Sequence, residues 1–218
     1  MAGDGNVWTP AGAVRLLAIV PADQPSASAE LHPDEVAYAA ALPPARRAEW
    51  LAGRRALRSL AFDLREQTLP AVLVDPRGAP LLPPGVAASI SHKRSMAGAL
   101  LGHAPDAWVG LDLEDDAPTR SDLRARVLSG AERTALAGFD DVAHRHEQRR
   151  RFAVKEAIYK AVAPVVRRYV GFAEVTLLAA DDGYLVDLHA DDLARLEVTC
   201  GLMSRDGLLL AWAAARRR

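Results

Sequence analysis

Lysine and cysteine are scarce in this chain of 218 residues. It contains 24 Arg but only three Lys, and its one cysteine is Cys200. A single cysteine excludes a disulfide within the chain and gives no indication of a cysteine-ligated metal, so we interpret Cys200 as a small apolar residue in a strand. No apolar run approaches the roughly 20 residues that a membrane-spanning helix needs. A formal net charge of −1 provides no field that would draw the chain to nucleic acid or lipid.

The commonest nucleotide-binding loops are also missing. Neither a Walker loop nor a Gly-x-Gly-x-x-Gly turn is present, which counts against the commonest magnesium-dependent nucleotide enzymes. The first residues include Asp4 but no basic cluster, and Arg15 interrupts the apolar run AVRLLAIV, so no signal peptide is expected and a cytoplasmic location is predicted. Half of the residues (50%) are hydrophobic, which is enough for a substantial core in one large domain or two small lobes.

Two of the three lysines lie in one segment, RRFAVKEAIYKAV, at residues 150–162. Its composition favours a helix, and Pro164 is expected to mark the end of that helix. One apolar stripe at helical spacing consists of Val154, Ile158, Ala161 and Val165. Glu156 and Lys160 lie one turn apart on another face, with Lys155 beside Glu156. In a chain rich in Arg, this clustering indicates a need for a compact, mobile ammonium group, although an ordinary surface Glu–Lys pair is the alternative.

The segment WVGLDLE, residues 108–114, alternates as a strand does. The residues of one face are Val109, Leu111 and Leu113, and those of the other are Gly110, Asp112 and Glu114. Two carboxylates on one strand face form a pair of hard oxygen ligands suited to Mg2+. The alternative is an exposed strand end that continues into an acidic turn, because two further Asp residues follow directly.

The remaining patterns predict helix followed by strands in each half of the chain. Residues 44–65 predict a long helix, with an apolar side and with arginines that form either a solvated basic face or a phosphate-binding face. A strand is expected over Ala71–Val74, followed by a turn in DPRGAP. Beyond Gly171 the pattern predicts an antiparallel meander of strands. The best boundary is GHAPDA, residues 102–107, which separates lobes at 1–104 and 105–218.

The two segments just described, together with a third one upstream of them, resemble the motifs of the 4′-phosphopantetheinyl transferases. SISH at residues 89–92, VGLDLE at 109–114 and, about 40 residues later, FAVKEAIYK at 152–160 match the motifs of that family. The chain length resembles that of its monomeric, two-lobed group. The resemblance implies an α+β fold of two pseudo-symmetric lobes, each an antiparallel sheet packed against a long helix, with the active site between the lobes. It also implies transfer of the phosphopantetheine arm of coenzyme A to a serine of a carrier protein domain in nonribosomal peptide, siderophore or polyketide synthesis.

The resemblance implies a role for each candidate site residue. Mg2+ (or Mn2+) would be held by Asp112, Glu114 and Glu156. Lys160 would hold a diphosphate oxygen, and Lys155 would lie at the rim of the site near the reacting centre. The other expected coenzyme contacts are Arg46, Arg54, Arg77, Gly78, Ser91 and His92.

The acceptor of the serine proton stays open among Glu156, Glu132 in the segment LSGAE, and a metal-bound water. Glu132 is equally well explained as a helix-capping residue after Ser129. A different magnesium-dependent nucleotide enzyme, or a non-catalytic protein that binds coenzyme A or a carrier domain, is the alternative function.

Overall fold

The computed structural model describes residues 6–104, 106–181 and 183–218. The chain divides into two compact units, the first ending at Asp106 and the second beginning at Ala107. The architecture is α+β with antiparallel sheets, as predicted. Among the described residues, no helix combines the length and hydrophobicity of a bilayer-crossing segment.

In its described residues, the first unit has a four-stranded antiparallel sheet, two α-helices and a short 3-10 helix at Pro25–Ala27. Its elements are β1 (Asn6–Thr9), β2 (Gly12–Ala18), α1 (Pro33–Ala40), α2 (Pro44–Arg65), β3 (Ala88–Lys93) and β4 (Met96–Gly102). The strand order is β1-β2-β4-β3. Helix α2 confirms the helix predicted over residues 44–65, and its buried Leu57 and Leu60 pack on the sheet. Helix α2 approaches β3 closely at Gly53, where an added Cβ would lie only 2.7 Å from Cγ2 of Ile90.

The strand predicted over Ala71–Val74 was wrong. Only an isolated bridge between Val74 and Pro80 forms there. Two carbonyl groups of this stretch have separate partners and do not share one neighbouring strand: Arg54 of α2 donates to Val72, and the Leu81 amide donates to Leu73. Just before the stretch, Arg58 of α2 donates to Leu69 and Pro70. Because the backbone acceptors are satisfied in this way, the segment needs no partner strand.

The described part of the second unit contains a helix of 26 residues and five strands. Its elements are β5 (Trp108–Asp115), α3 (Arg124–Val127), α4 (Gly130–Ala135), α5 (Asp141–Val166), β6 (Val175–Ala180), β7 (Gly183–Leu188), β8 (Leu196–Arg205) and β9 (Leu208–Arg217). Within the described ranges, β5-β9-β8 form one antiparallel sheet and β6-β7 form a separate hairpin. The single meander predicted beyond Gly171 was therefore wrong, since the strands belong to two sheets and the central strand β9 pairs with the distant β5.

Helix α5 is longer at both ends than the segment predicted from its sequence. It begins after Asp140, whose Oδ1 accepts a hydrogen bond from the Ala143 amide at 2.9 Å. The prediction that Pro164 marks the end was wrong, because the helix continues to Val166. Val165 and Val166 pack against the core, and this contact compensates for the hydrogen bond that a proline removes from the last turn.

Candidate active site

The carboxylates of Asp112 and Glu114 lie on the side of β5 that faces α5. Both are buried, with 7% and 8% of their surface exposed. Gly110 lies on the same strand face, and a Cβ at that position would come within 1.8 Å of the Ala157 carbonyl oxygen of α5. Only glycine therefore allows the helix to approach this closely, and the alternation of the strand turns the next two side chains of that face towards the helix.

Three acidic residues of the β5 segment pair with three basic residues of α5, and we call these the β5–α5 pairs. Lys160 Nζ donates to Asp112 Oδ1 at 2.7 Å and to the Leu111 carbonyl oxygen at 2.8 Å. The other two pairs are Glu114 with Arg149, and Asp116 Oδ1 with His146 Nε2 at 2.8 Å. The acidic positions are two residues apart, and the basic positions share one helix face. Sequence reasoning missed Asp116, His146 and Arg149, although the alternation of the strand, continued past Glu114, could have found Asp116.

Glu156 lies on α5 one turn before Lys160 and is half-buried. Burial raises the pKa of its carboxyl group, and the negative charge of Asp112 adds to this effect, with a smaller contribution from Glu114. The negative charges of Asp112 and Glu114 therefore both act on Glu156. In the described residues, no three His, Cys, Asp or Glu side chains are already arranged to hold an ion. The donor set fits Mg2+, because it consists of hard carboxylate oxygens whose mutual repulsion a cation would relieve.

The predicted position of Lys155 at the rim of the site was wrong. Its side chain is fully buried. Nζ donates to Glu132 Oε2 at 2.7 Å and to the carbonyl oxygens of Val127 at 2.8 Å and Phe172 at 3.1 Å. Burial lowers the pKa of Lys155, and the bond to Glu132 opposes this shift. All three ammonium hydrogens are thus used in fixing α5 to the segments around it.

Glu132 is the buried partner of Lys155 and also closes a capping box with Ser129. Its Oε2 accepts the Ser129 amide at 2.6 Å, and its Oε1 accepts the Leu177 amide at 3.1 Å and Arg151 Nη1 at 3.2 Å. Burial by itself would raise the pKa of Glu132, but the hydrogen bonds from Lys155 and the Ser129 backbone outweigh it and lower the pKa. Both oxygens are engaged in structural bonds, so the capping interpretation describes this residue and a general-base role does not fit it.

In the first unit, the structure brings together two of the predicted coenzyme contacts, Arg46 of α2 and His92 of β3. Arg46 Nη1 lies 2.5 Å from His92 Nε2. The same nitrogen donates to Glu49 Oε2 at 2.9 Å, and this oxygen is 3.5 Å from His92 Nε2. Sequence reasoning missed Glu49. Ser91, the residue before His92, is buried.

Arg54 does not present its guanidinium group to solvent as the expected coenzyme contact would require. It is buried, it stacks with its Cζ 3.7 Å from the centre of the Trp50 ring, and its Nε donates to the Val72 carbonyl oxygen at 2.8 Å. Burial lowers its pKa to about 10. Arg54 therefore holds the segment that leads into the turn of Arg77 and Gly78.

That turn is well formed and exposed. Asp75 Oδ1 accepts the amides of Arg77 at 2.8 Å and Ala79 at 2.9 Å. Gly78 has φ of +86°, in the left-handed region that favours glycine. The described contacts do not bring Arg77 and Gly78 to Arg46 or His92.

Comparison with known proteins gives consistent matches over both units. The family model described as the 4′-phosphopantetheinyl transferase N-terminal domain matches residues 34–102, and that of the 4′-phosphopantetheinyl transferase superfamily matches residues 108–210.

The chain is 33% identical over 157 residues to 4′-phosphopantetheinyl transferase Svp of Streptomyces mobaraensis, covering 70% of this chain and 62% of that protein. It is 31% identical over 144 residues to 4′-phosphopantetheinyl transferase Npt of Nocardia iowensis, covering 66% of this chain and 64% of that protein. The matches thus span less than two thirds of either relative's length. A solved holo-[acyl-carrier-protein] synthase of Thermotoga maritima is 24% identical, with a TM-score of 0.41, over 50% of this chain and 63% of that one.

Proposed function

Because the chain belongs to the 4′-phosphopantetheinyl transferase superfamily, we propose that it transfers the phosphopantetheine arm of coenzyme A to a serine hydroxyl of a carrier protein domain. The serine oxygen would form a bond to the phosphorus that carries the pantetheine arm. The bond from that phosphorus to the bridging oxygen would break, and adenosine 3′,5′-bisphosphate would leave. The serine proton must pass to an acceptor at the site.

The β5–α5 pairs carry this proposal. The ion pair between Lys160 Nζ and Asp112 Oδ1, at 2.7 Å, joins the two motifs that carry the family resemblance. Asp112, Glu114 and Glu156 would hold Mg2+, which when bound neutralises diphosphate oxygens and the charge that develops on the leaving group. A mobile ammonium can exchange one anionic partner for another, so Lys160 would leave Asp112 and bind a diphosphate oxygen.

Other residues would take supporting roles. Arg46 and His92 would contact a phosphate of the coenzyme, and the exposed turn of Arg77 and Gly78 is a further contact. Ser91 would position His92 from the buried side of β3. Of the two carboxylates considered as proton acceptor, Glu156 is favoured, since Glu132 is buried with both oxygens engaged. Lys155 would fix α5 to the segments around it and so hold the neighbouring Glu156 in position.

The test is magnesium-dependent loading of a purified apo carrier domain with coenzyme A, followed by intact-mass spectrometry. We expect the carrier to gain one phosphopantetheine group with wild-type protein and Mg2+, and to remain unmodified when EDTA is added. A protein that binds coenzyme A and carrier but transfers nothing would instead be a non-catalytic binding protein. A panel of carriers from peptide synthetases, siderophore assembly lines and polyketide synthases tests the further proposal that these are the acceptors, and light scattering tests the proposed monomer.

A further inference from the structure

The carboxylate of Glu49 lies where an anion would have to bind between Arg46 and His92. Glu49 and Arg46 are neighbours on one face of α2, and His92 comes from β3. One oxygen atom, Glu49 Oε2, is 2.9 Å from Arg46 Nη1 and 3.5 Å from His92 Nε2. A phosphate oxygen that contacted both basic side chains would need nearly the same position.

The hydrogen bonds define which state this cluster occupies. A guanidinium group can only donate, so His92 Nε2 must accept at the 2.5 Å contact from Arg46 Nη1. The ring proton of a neutral His92 then lies on Nδ1. In this arrangement His92 Nε2 has no hydrogen to donate to a phosphate, and Arg46 Nη1 directs its two hydrogens to Glu49 and His92.

We propose that Glu49 is an internal counterion that the 3′-phosphate of the coenzyme must displace when it binds Arg46 and His92. The inference rests on the proposed function, and it adds a residue that sets both the affinity for the coenzyme and the selectivity for its 3′-phosphate. The three side chains are partly exposed, at 28% for Glu49, 35% for His92 and 61% for Arg46, so the carboxylate has room to turn towards solvent. A dianionic phosphate is a stronger partner for Arg46 than a carboxylate, but any charge that remains on Glu49 nearby repels it.

Glu49 therefore opposes binding of the ligand, and its removal should strengthen binding. Two unit charges about 4 Å apart in water interact by about 1 kcal/mol, which corresponds to about fivefold in affinity. If Glu49 and Arg46 formed only an exposed surface pair, removing the carboxylate would leave coenzyme affinity unchanged.

The experiment compares wild type, Glu49→Gln and Asp63→Asn by calorimetric titration with coenzyme A and with dephospho-coenzyme A, both with Mg2+. Asp63 is a matched control, because it lies on the same helix and pairs with an arginine, Arg15, at 2.5 Å. We expect Glu49→Gln to bind coenzyme A about fivefold more tightly and dephospho-coenzyme A with unchanged affinity. Asp63→Asn should bind both ligands as wild type does.

Each other outcome overturns the proposal. Unchanged coenzyme affinity in Glu49→Gln would make Glu49 a surface residue, and weaker affinity would mean that Glu49 orients Arg46 and His92 for binding. If Glu49→Gln bound dephospho-coenzyme A more tightly by the same factor as coenzyme A, the substitution would act through the overall charge of the protein and not through the 3′-phosphate. If the wild-type protein bound no coenzyme A, the proposed function itself would be contradicted, and Glu49 would have no ligand to oppose. If the wild type bound coenzyme A and Glu49→Gln bound it with the same affinity, only the proposed role of Glu49 would be contradicted.

Discussion

Replacement of Lys160 by alanine tests the exchange of partners at the proposed metal site. In the structure, Lys160 Nζ donates to Asp112 Oδ1 at 2.7 Å and to the Leu111 carbonyl oxygen at 2.8 Å, and its side chain is 32% exposed. A charge-assisted hydrogen bond contributes about 1.5–3 kcal/mol when it is shielded, whereas an exposed pair contributes about 0.2–1 kcal/mol. At this intermediate exposure, we expect Lys160→Ala to lower the free energy of unfolding by about 1 kcal/mol without Mg2+.

The same substitution should change the two ligand affinities in opposite directions. Without Lys160, Asp112 loses the cation that competes with Mg2+, so the Kd for Mg2+ should fall. Coenzyme A loses a diphosphate contact, so its Kd should rise by at least about tenfold, the equivalent of about 1.4 kcal/mol. Calorimetric titration with Mg2+ alone and with coenzyme A measures both constants on the purified protein.

Two further variants separate charge from geometry. Lys160→Arg keeps the positive charge, but its planar fork should fit poorly, so kcat/KM should fall by at least about tenfold, as for Lys160→Ala. Arg145→Ala is the matched control, since it breaks an exposed pair with Asp141 on the same helix, where N and O lie 3.0 Å apart. We expect it to change stability by less than about 0.5 kcal/mol and turnover not at all. Full activity and unchanged Mg2+ affinity in Lys160→Ala would refute the exchange.

The remaining predictions concern the metal ligands and the buried residues. Asp112→Asn should abolish magnesium-dependent turnover in a protein that circular dichroism shows to be folded; near-native turnover at saturating Mg2+ would contradict the ligand role. Lys155→Ala should lower the free energy of unfolding in urea by about 3–5 kcal/mol, because it leaves Glu132 buried without its ammonium partner; a loss below about 1 kcal/mol would indicate a surface-like pair. The lowered pKa of Glu132 means that its stabilising contribution is complete above the unfolded pKa of about 4.3 and is lost as pH falls through the folded pKa. Glu132→Gln should therefore lose less stability than wild type on acidification, and parallel pH profiles would count against this. Burial raises the pKa of Cys200 to about 12, so iodoacetamide should label it only after denaturation; rapid labelling of the native protein would show that the thiol is accessible.

Local sequence patterns predicted the helices and strands whose apolar residues recur on one face. The helix over residues 44–65 and the strand of WVGLDLE are confirmed. The helix packs its apolar side on the sheet, which imposes a period near 3.6 on its apolar residues. The strand is buried on both faces, but its apolar side chains lie on one face and Gly110, Asp112 and Glu114 on the other, so the period of 2 is still visible. Of the predicted stripe, Val154, Ile158 and Ala161 are fully buried and Val165 is half-buried. The same periodicity placed Asp112 and Glu114 on one strand face and Glu156 and Lys160 one turn apart. These relations depend only on backbone geometry within one element.

Whether each of these charged side chains is buried or exposed was decided by segments distant in the sequence. Lys155 and Lys160 are the same residue type on the same helix, yet Lys155 is buried because Glu132 and two backbone carbonyls approach it from other segments. Arg54 looks like a surface arginine in the sequence, but the chain after α2 returns to place the Val72 carbonyl against it. An isolated charge in the interior is costly, and only the tertiary structure supplies the acceptors that offset that cost.

The strands themselves could be predicted from the sequence, but their pairing could not. The sequence by itself determined that β5, β8 and β9 would be strands, since alternation and composition are local properties. Only the tertiary structure decided that β9 lies between β5 and β8, with Asp112 opposite Ala211. The pairing of β5 with β9 closes a loop that contains α3, α4 and α5, and its entropic cost is offset by the apolar surface that α5 buries against this sheet. No local pattern encodes that contact, because it exists only once the helix has packed on the strands.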